Sequence, residues 1–349
     1  MRADVRPDEC PKAMTYGPCG GVTPDSGCEV DGRRCAFVEV PLVRWNGAAG
    51  HGAGLAGPAP ASALERALGV AADQSVIIAD LPAAALDVDS LRRSAGRLAG
   101  TVDAVLLGDH GGERVQLPPS LRAQLVQAEG LPAWAGLNCR DRNRVALEGE
   151  LAGLAAVGAA GVHCVTGDHT SLGHRSDAQP VFDLDATGLV PLARAAGLVT
   201  SVAENPVAPP VDLRAGRAAN KARAGAQVCF VNHTSGPQAV AQFVAAATQA
   251  CVSEGTSLEF IACVAVVVDE ASARVLRSFT GLELPRGYLD RILAAPDVEA
   301  AGIRMAIRLS EALLGVPGVR GVNLSGGCRP GDEERMAAVM GEIAKGVLR

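Results

Sequence analysis

The stretch AWAGLNCRDRNRVALEGELAGLAAVGAAGVHCVTGDH, residues 133–169, decides the fold. It opens on a short apolar run, AWAGLN (133–138), and passes through the polar turn NCRDRNR (138–144). It then changes period: in RVALEGELAGLAAVG (144–158), Val145, Leu147, Leu151 and Leu154 supply much of an apolar stripe while Glu148 and Glu150 point elsewhere, the spacing of an amphipathic helix. A second apolar run, GVHCVT (161–166), follows and ends on the polar GDH. Strand, helix, strand within about forty residues is a βαβ unit, whose two strands lie parallel.

The same alternation extends in both directions. Strand-like runs recur at 75–79, 103–107, 133–138, 161–166, 198–203, 227–232, 258–264 and 319–324, with helical segments between them. The segment before the last run, GYLDRILAAPDVEAAGIRMAIRLSEALLG, is long enough for two helices broken near Pro296. Eight such units over roughly 280 residues predict an α/β chain closed into a (β/α)8 TIM barrel. A doubly wound open sheet is the alternative, weakened because no G-x-G-x-x-G turn follows the first strand.

Ahead of the barrel, cysteines at 10, 19, 28 and 35 are spaced C-x8-C-x8-C-x6-C among glycines and prolines that let a short chain double back. The expectation is a small four-cysteine module over 1–44 that holds zinc or a [4Fe–4S] cluster through Cys10, Cys19, Cys28 and Cys35. A Gly/Ala/Pro-rich linker, 45–69, separates it from the barrel, 70–349. The other six cysteines are scattered through strands and helix ends and read as core thiols.

Acid exceeds base by only 38 to 32 and aromatics are 3%, which speaks against a nucleic-acid surface or a base-stacking platform. The apolar runs at 76–79 and 261–268 are too short to span a bilayer and the N-terminus has no hydrophobic signal region, so a cytoplasmic protein without membrane partners is expected.

Reacting groups in a barrel come from the C-terminal ends of its strands. Those ends are polar: ADLP (79–82), GDHGG (108–112), TGDH (166–169), AENP (203–206), NHTSG (232–236) and SGGCRP (325–330). Asp168 either meets the edge of a planar ligand or caps the following helix. Asp141 or Asn143 is expected as a helix cap, with Arg142 and Arg144 suited to an anion. His110, His169 and His233 with Asp109 or Asp168 form a second candidate metal set, of the kind metallohydrolases use, and His163 reads as a satisfied core residue.

From about residue 70 onward the chain resembles the methylenetetrahydrofolate reductase family. The residues that carry this are NCRDRNRVALEGELAGLAAVGAAGVHCVTGDHTSLGHRSDAQPVFDLD (138–185), AENPVAPPVDL (203–213) and NKARAGAQ (220–227). The N-terminal CPK…GPCGG…CEV…C is similar to a cysteine module that accompanies some members and their partner subunits. The resemblance implies FAD across the barrel mouth, reduced by NAD(P)H and passing hydride to 5,10-methylenetetrahydrofolate. Asp168 matches the family's acid beside the flavin and Lys221 its lysine at the flavin's phosphate arm; Asp109, His169 and Asn205 complete the cofactor-binding set.

Two positions depart from the family pattern. Where reductases carry a glutamate in strand one this chain has Ile78, leaving Asp80, on the same face two residues on, as the candidate acid, with His233 as the second. Asn232 replaces a pterin-binding glutamine and has one methylene less reach, so Asn232 and His233 are the expected substrate-binding pair. Glu204 is a third oddity, a carboxylate that is costly near a ligand unless paired. Two functions follow: a divergent flavin-dependent oxidoreductase, or a non-reductase folate-binding or one-carbon-transfer protein or partner subunit using the same barrel. Its partners would be a folate-type small molecule, an electron-transfer or methyltransferase protein, and a second copy of the chain.

Overall fold

The structure is a computed structural model that describes residues 10–47, 62–71, 73–109 and 112–348. Eight parallel strands close into a barrel in sequence order: β1 Val76–Asp80, β2 Ala104–Leu107, β3 Ala133–Asn138, β4 Gly161–Val165, β5 Thr200–Glu204, β6 Val228–Val231, β7 Glu259–Ala265 and β8 Val319–Ser325. Each expected strand is present, displaced by no more than two residues at an end. The helices are α1 Ala63–Leu68, α2 Val88–Leu98, α3 Pro119–Ala128, α4 Arg144–Ala156, α5 Ala186–Ala195, α6 Arg214–Ala224 and α7 Pro237–Ser253. They continue with α8 Glu270–Arg277, α9 Tyr288–Leu293, α10 Val298–Leu314 and α11 Glu333–Gly346. α9 and α10 are the two helices expected around Pro296.

Alternation along each strand sorts side chains into two cores. Val76, Ile78, Ala104, Leu106, Trp134, Val228, Phe230 and Ile261 fill the barrel interior, and Ala63 and Leu64 of α1 pack against them from the N-terminal end. α1 is fixed there by Glu259 at the start of β7, whose carboxylate accepts from Ser62 Oγ and the Ala63 amide at 2.9 and 2.7 Å. The other parity, Ile77, Ala79, Val105, Leu107, Leu137 and Val202 among them, packs under the helices. Trp134 is accommodated inside by a glycine on the neighbouring strand: a Cβ on Gly161 would lie 2.5 Å from the indole. Trp134 Nε1 donates to Ser201 Oγ at 2.8 Å, and that hydroxyl also meets His163 Nδ1 at 2.8 Å, so His163 is the satisfied interior histidine its place in a strand suggested.

In α4, Asn143 is the cap, accepting from the Ala146 amide at 3.0 Å. Leu147, Leu151 and Leu154 form the buried stripe. Val145 does not join it; it is 80% exposed, since no element among the described residues covers that face of the first turn of α4. No helix among the described residues is long and apolar enough to cross a membrane.

Candidate functional site

Because Asp80 shares a face with Ile78, it stands at the open, C-terminal end of the barrel interior. Asn323 on β8 donates to Asp80 Oδ1 through Nδ2 at 2.9 Å, and the Ser325 side chain also hydrogen-bonds the carboxyl. No cation among the described residues faces it: burial raises the Asp80 carboxyl from its ordinary range, and the two hydrogen bonds only partly oppose that. Asn323 is itself buried and its Oδ1 meets no hydrogen-bond donor among the described residues. The interior thus ends in a carboxyl, an amide with an open acceptor and a hydroxyl, above a floor of Ile78, Leu106 and Phe230. Sequence reading named Asp80 but missed Asn323 and Ser325; the available signal was a polar residue at an inward parity in VRGVNLS.

His233, after β6, is also buried, and burial holds its imidazole at about 4, well below the ordinary 6.5. Its Nδ1 has no hydrogen-bond partner among the described residues. Asn232 beside it spends its Oδ1 on the His233 amide at 2.8 Å. His110 and His51 lie outside the described residues.

The residues assigned to a flavin are each engaged by protein. Asp109 accepts from Arg140 Nη1 at 2.5 Å, Gln116 Nε2 at 3.0 Å and Asn138 Nδ2 at 3.2 Å. His169 stacks on Phe182 with centroids 5.9 Å apart, its Nδ1 against Ser171. Asn205 donates to Gly281 O at 3.3 Å and accepts from the Val207 amide at 3.2 Å. Lys221 is buried under β5, donating to Glu204 Oε2 at 2.8 Å.

Glu204 explains the position of Lys221. It points outward from β5 toward α6, where Arg214 Nη1 lies at 3.2 Å and Arg217 Nε at 3.5 Å, all four side chains buried. Burial works to raise the Glu204 carboxyl, but Lys221, Arg217 and Arg214 together hold it at about 2. This is the pairing a carboxylate at that position requires. Arg142 and Arg144 are likewise taken up by carboxylates, Asp141 at 2.6 Å and Glu148 at 2.7 Å.

The cysteine segment lies on the barrel mouth. The amides of Thr15 and Tyr16 donate to Asp185 Oδ2 at 3.1 and 3.2 Å, while Asp185 Oδ1 caps α5. Pro18 O accepts from Arg214, and Gly20 stands against Asn205. Lys12 is buried in an ion pair with Glu29; burial works to lower its ammonium, but Cys19, Glu29 and Asp168 outweigh that and raise it. Asp168 keeps 52% of its side chain open and has Arg114 at 3.7 Å on its other side. Protein crowding raises its carboxyl, opposed by Lys12 and Arg114. From this seat the chain runs down α6, where Trp45 N donates to Asn220 Oδ1 at 2.7 Å.

These contacts correct the cofactor expectations. Cys10, Cys19, Cys28 and Cys35 are free, half-buried thiols, and no group of three or more His, Cys, Asp or Glu side chains among the described residues is arranged to hold a metal ion. The zinc and [4Fe–4S] assignments are therefore withdrawn; of the second set, His169, His233, Asp109 and Asp168 form no such group, and His110 lies outside the described residues. FAD does not fit either: the mouth beside Asp168 is occupied by the Lys12–Glu29 pair, and the lysine meant for its phosphates is neutralised by Glu204. With FAD go the flavoprotein and NAD(P)H-linked oxidoreductase readings.

A family model described as "Methylene-tetrahydrofolate reductase C terminal" matches residues 4–45, the cysteine segment. No curated protein matches the sequence. Among solved structures, an uncharacterized protein from Clostridium thermocellum, described as binding two copies of 5-methyl-5,6,7,8-tetrahydrofolic acid, superposes with a TM-score of 0.52 at 13% identity, covering 81% of this chain and 98% of that one. A 2,3-dimethylmalate lyase of the PEP mutase/isocitrate lyase superfamily gives a TM-score of 0.41 at 13% identity, over 75% and 77% of the two chains. At this identity the first likeness is one of fold, and the second carries no argument.

Proposed function

We propose that this chain binds a reduced folate at the C-terminal end of the barrel interior and does so as a non-reductase, a folate-binding or one-carbon-transfer protein. The observation that carries this is the inward-facing set of Asp80, Asn323 and Ser325. A pterin ring offers N–H donors and a carbonyl acceptor along one edge. A carboxyl, a free amide oxygen and a hydroxyl at the end of an apolar well form a complementary array. The family likeness of the cysteine segment and the tetrahydrofolate described for the barrel of similar fold support the ligand class. Ile78, fully buried in the interior where a reductase carries its acid, supports binding without reduction, since an alkyl chain transfers no proton.

Calorimetric titration of the full chain with 5-methyltetrahydrofolate and with 5,10-methylenetetrahydrofolate tests the reading. Binding that weakens about 10- to 100-fold in Asp80→Asn and in Asn323→Ala is expected, the loss of one or two hydrogen bonds to a buried ligand edge. Absence of binding at millimolar ligand, or full affinity in both variants, overturns it.

A further inference from the structure

Cys263 belongs to the open end of the barrel interior. Gly136, Val165, Ala203 and Cys263 are partly open, whereas the residues on either side of each along its strand are buried, so these inward positions line the well itself. Cys263 on β7 is in register with Asn323 on β8, and Val231 of β6 with Ala262, so Asn232 comes next to Cys263. β8 in turn closes against β1. Asp80, Asn323, Cys263 and Asn232 thus follow one another around the ring, from β1 through β8 and β7 to the end of β6. Gly136, on the far side of the ring from β7, adds no side chain and leaves room for a flat ligand.

Hydrogen bonds within the protein fix the polarity of this arc. Asn323 spends Nδ2 on Asp80 Oδ1 at 2.9 Å, with Cys263 Sγ at 3.9 Å. That leaves Asn323 Oδ1, an acceptor that meets no donor among the described residues on a side chain only 2% exposed. Asn232 is turned the other way: its Oδ1 accepts from the His233 amide at 2.8 Å, which leaves the Nδ2 donor. Cys263 is pushed up to about 12, chiefly by burial with Asp80 adding to it, so at neutral pH the thiol keeps its hydrogen and is a weak donor. Acceptors therefore stand at β1 and β8, and donors at β7 and β6.

A tetrahydropterin carries the complementary order along one side. Its 2-amino group and N3–H donate, and its 4-carbonyl, next around the ring, accepts. Turned over, the same ring brings N8–H to the Asn232 donor, so the polarity also sets which way it lies. A 2,4-diamino pteridine fails at two places: N3 carries no hydrogen for Asn323 Oδ1, and the 4-amino group meets donors. We propose, on the folate reading, that the well takes 4-oxo pteridines and excludes 2,4-diamino ones, with Cys263, a residue that reading does not use, facing position 4. The exclusion comes from donors and acceptors left buried and unpaired, which costs more than a matched pair gains.

The test compares tetrahydrofolate with its 4-amino counterpart, tetrahydroaminopterin, by calorimetric titration of the full chain. Wild type should bind the 4-oxo compound at least about 100-fold more tightly, within the range a site built around hydrogen bonds discriminates. Asn232→Asp, which keeps the acceptor for the His233 amide and turns the inward donor into an acceptor, should narrow that preference about 10-fold or more. Cys263→Ser, of similar size, sets a hydroxyl that accepts as well as donates at position 4 and should narrow it also. Affinities within about 3-fold of each other in wild type leave the folate reading standing and overturn the selection. A preference that both variants leave unchanged overturns the assignment to Cys263 and Asn232. Wild type that binds neither compound overturns the folate reading and the selection with it.

Discussion

Two strand-end carboxylates, one at the end of β1 and one at the end of β5, have opposite chemistry. Asp80 points into the barrel, meets only an amide and a hydroxyl, and is driven up by burial. Glu204 points outward under α6, meets three cations and is held at about 2. Both end an apolar strand, and both are followed by polar sequence. What separates them is parity: one step along a strand moves a side chain from the ligand-facing end of the interior to the interface with a helix. An outward carboxylate there is structure, since three buried cations depend on it. An inward one with no counter-charge among the described residues is retained at a cost in stability, the pattern of a functional site.

The sharpest way to break this contrast is Glu204→Gln. Losing the one carboxylate that the described residues place among Lys221, Arg214 and Arg217 leaves buried cations without compensation, and an unfolding free energy lower by about 3–5 kcal/mol is expected in urea titration. If the loss is under about 1 kcal/mol, Glu204 does not hold the cluster. Its acid dependence has a definite sign. With a folded value of about 2 below the ordinary 4.5, the stabilisation is present above pH 4.5 and is lost as pH falls toward 2.

His233 extends the contrast to a buried group of the other charge type, whose Nδ1 meets no partner among the described residues. Its folded value of about 4 lies below 6.5, so the unfolded chain binds the proton more readily between those limits, and stability rises with pH across them. A loss on the order of 3 kcal/mol on going from pH 6.5 to 4 is attributable to this group. His233→Asn should flatten that limb of the stability–pH curve relative to wild type; an unchanged slope would place the acid sensitivity elsewhere, His163 being the next group to test.

Asp80→Asn should leave stability at pH 7 within about 1 kcal/mol of wild type or raise it, because a raised carboxyl contributes most below its unfolded value of about 3.8 and loses that contribution as pH rises. The same variant weakens folate binding on the proposal above, so stability and affinity part company. A large stability loss would make Asp80 structural, like Glu204. At the small end, Val145→Ser on the open face of α4 should shift stability by no more than about 0.5 kcal/mol in thermal unfolding, which calibrates the others.

The barrel was legible in the sequence because its signals are local. Leu147, Leu151 and Leu154 repeat with the helical period and the strands stand out as short continuous apolar runs, so that eight units could be read from the sequence, and the two-residue alternation of any strand put Ile78 and Asp80 on one face. Asn323 was harder to see: a polar residue within a strand acquires meaning only when β8 is known to close against β1, and these two strands are more than two hundred residues apart. Val145 matched the helical pattern and was still exposed, since the pattern says which side of a helix is apolar and not where its neighbours end.

By itself the sequence determined the count and order of the elements, which residues of one strand share a face and the clustering of four thiols near one end, all of which depend on neighbours a few positions away. The tertiary structure alone decided that those thiols line a cavity instead of a metal site, that Lys221 answers Glu204 and not a phosphate, and that Thr15, Tyr16 and Pro18 sit on Asp185 and Arg214 at the barrel mouth. Contacts between residues 17 to 196 positions apart in the chain leave no period behind them. They are fixed by which buried donors, acceptors and charges find partners once the barrel has closed.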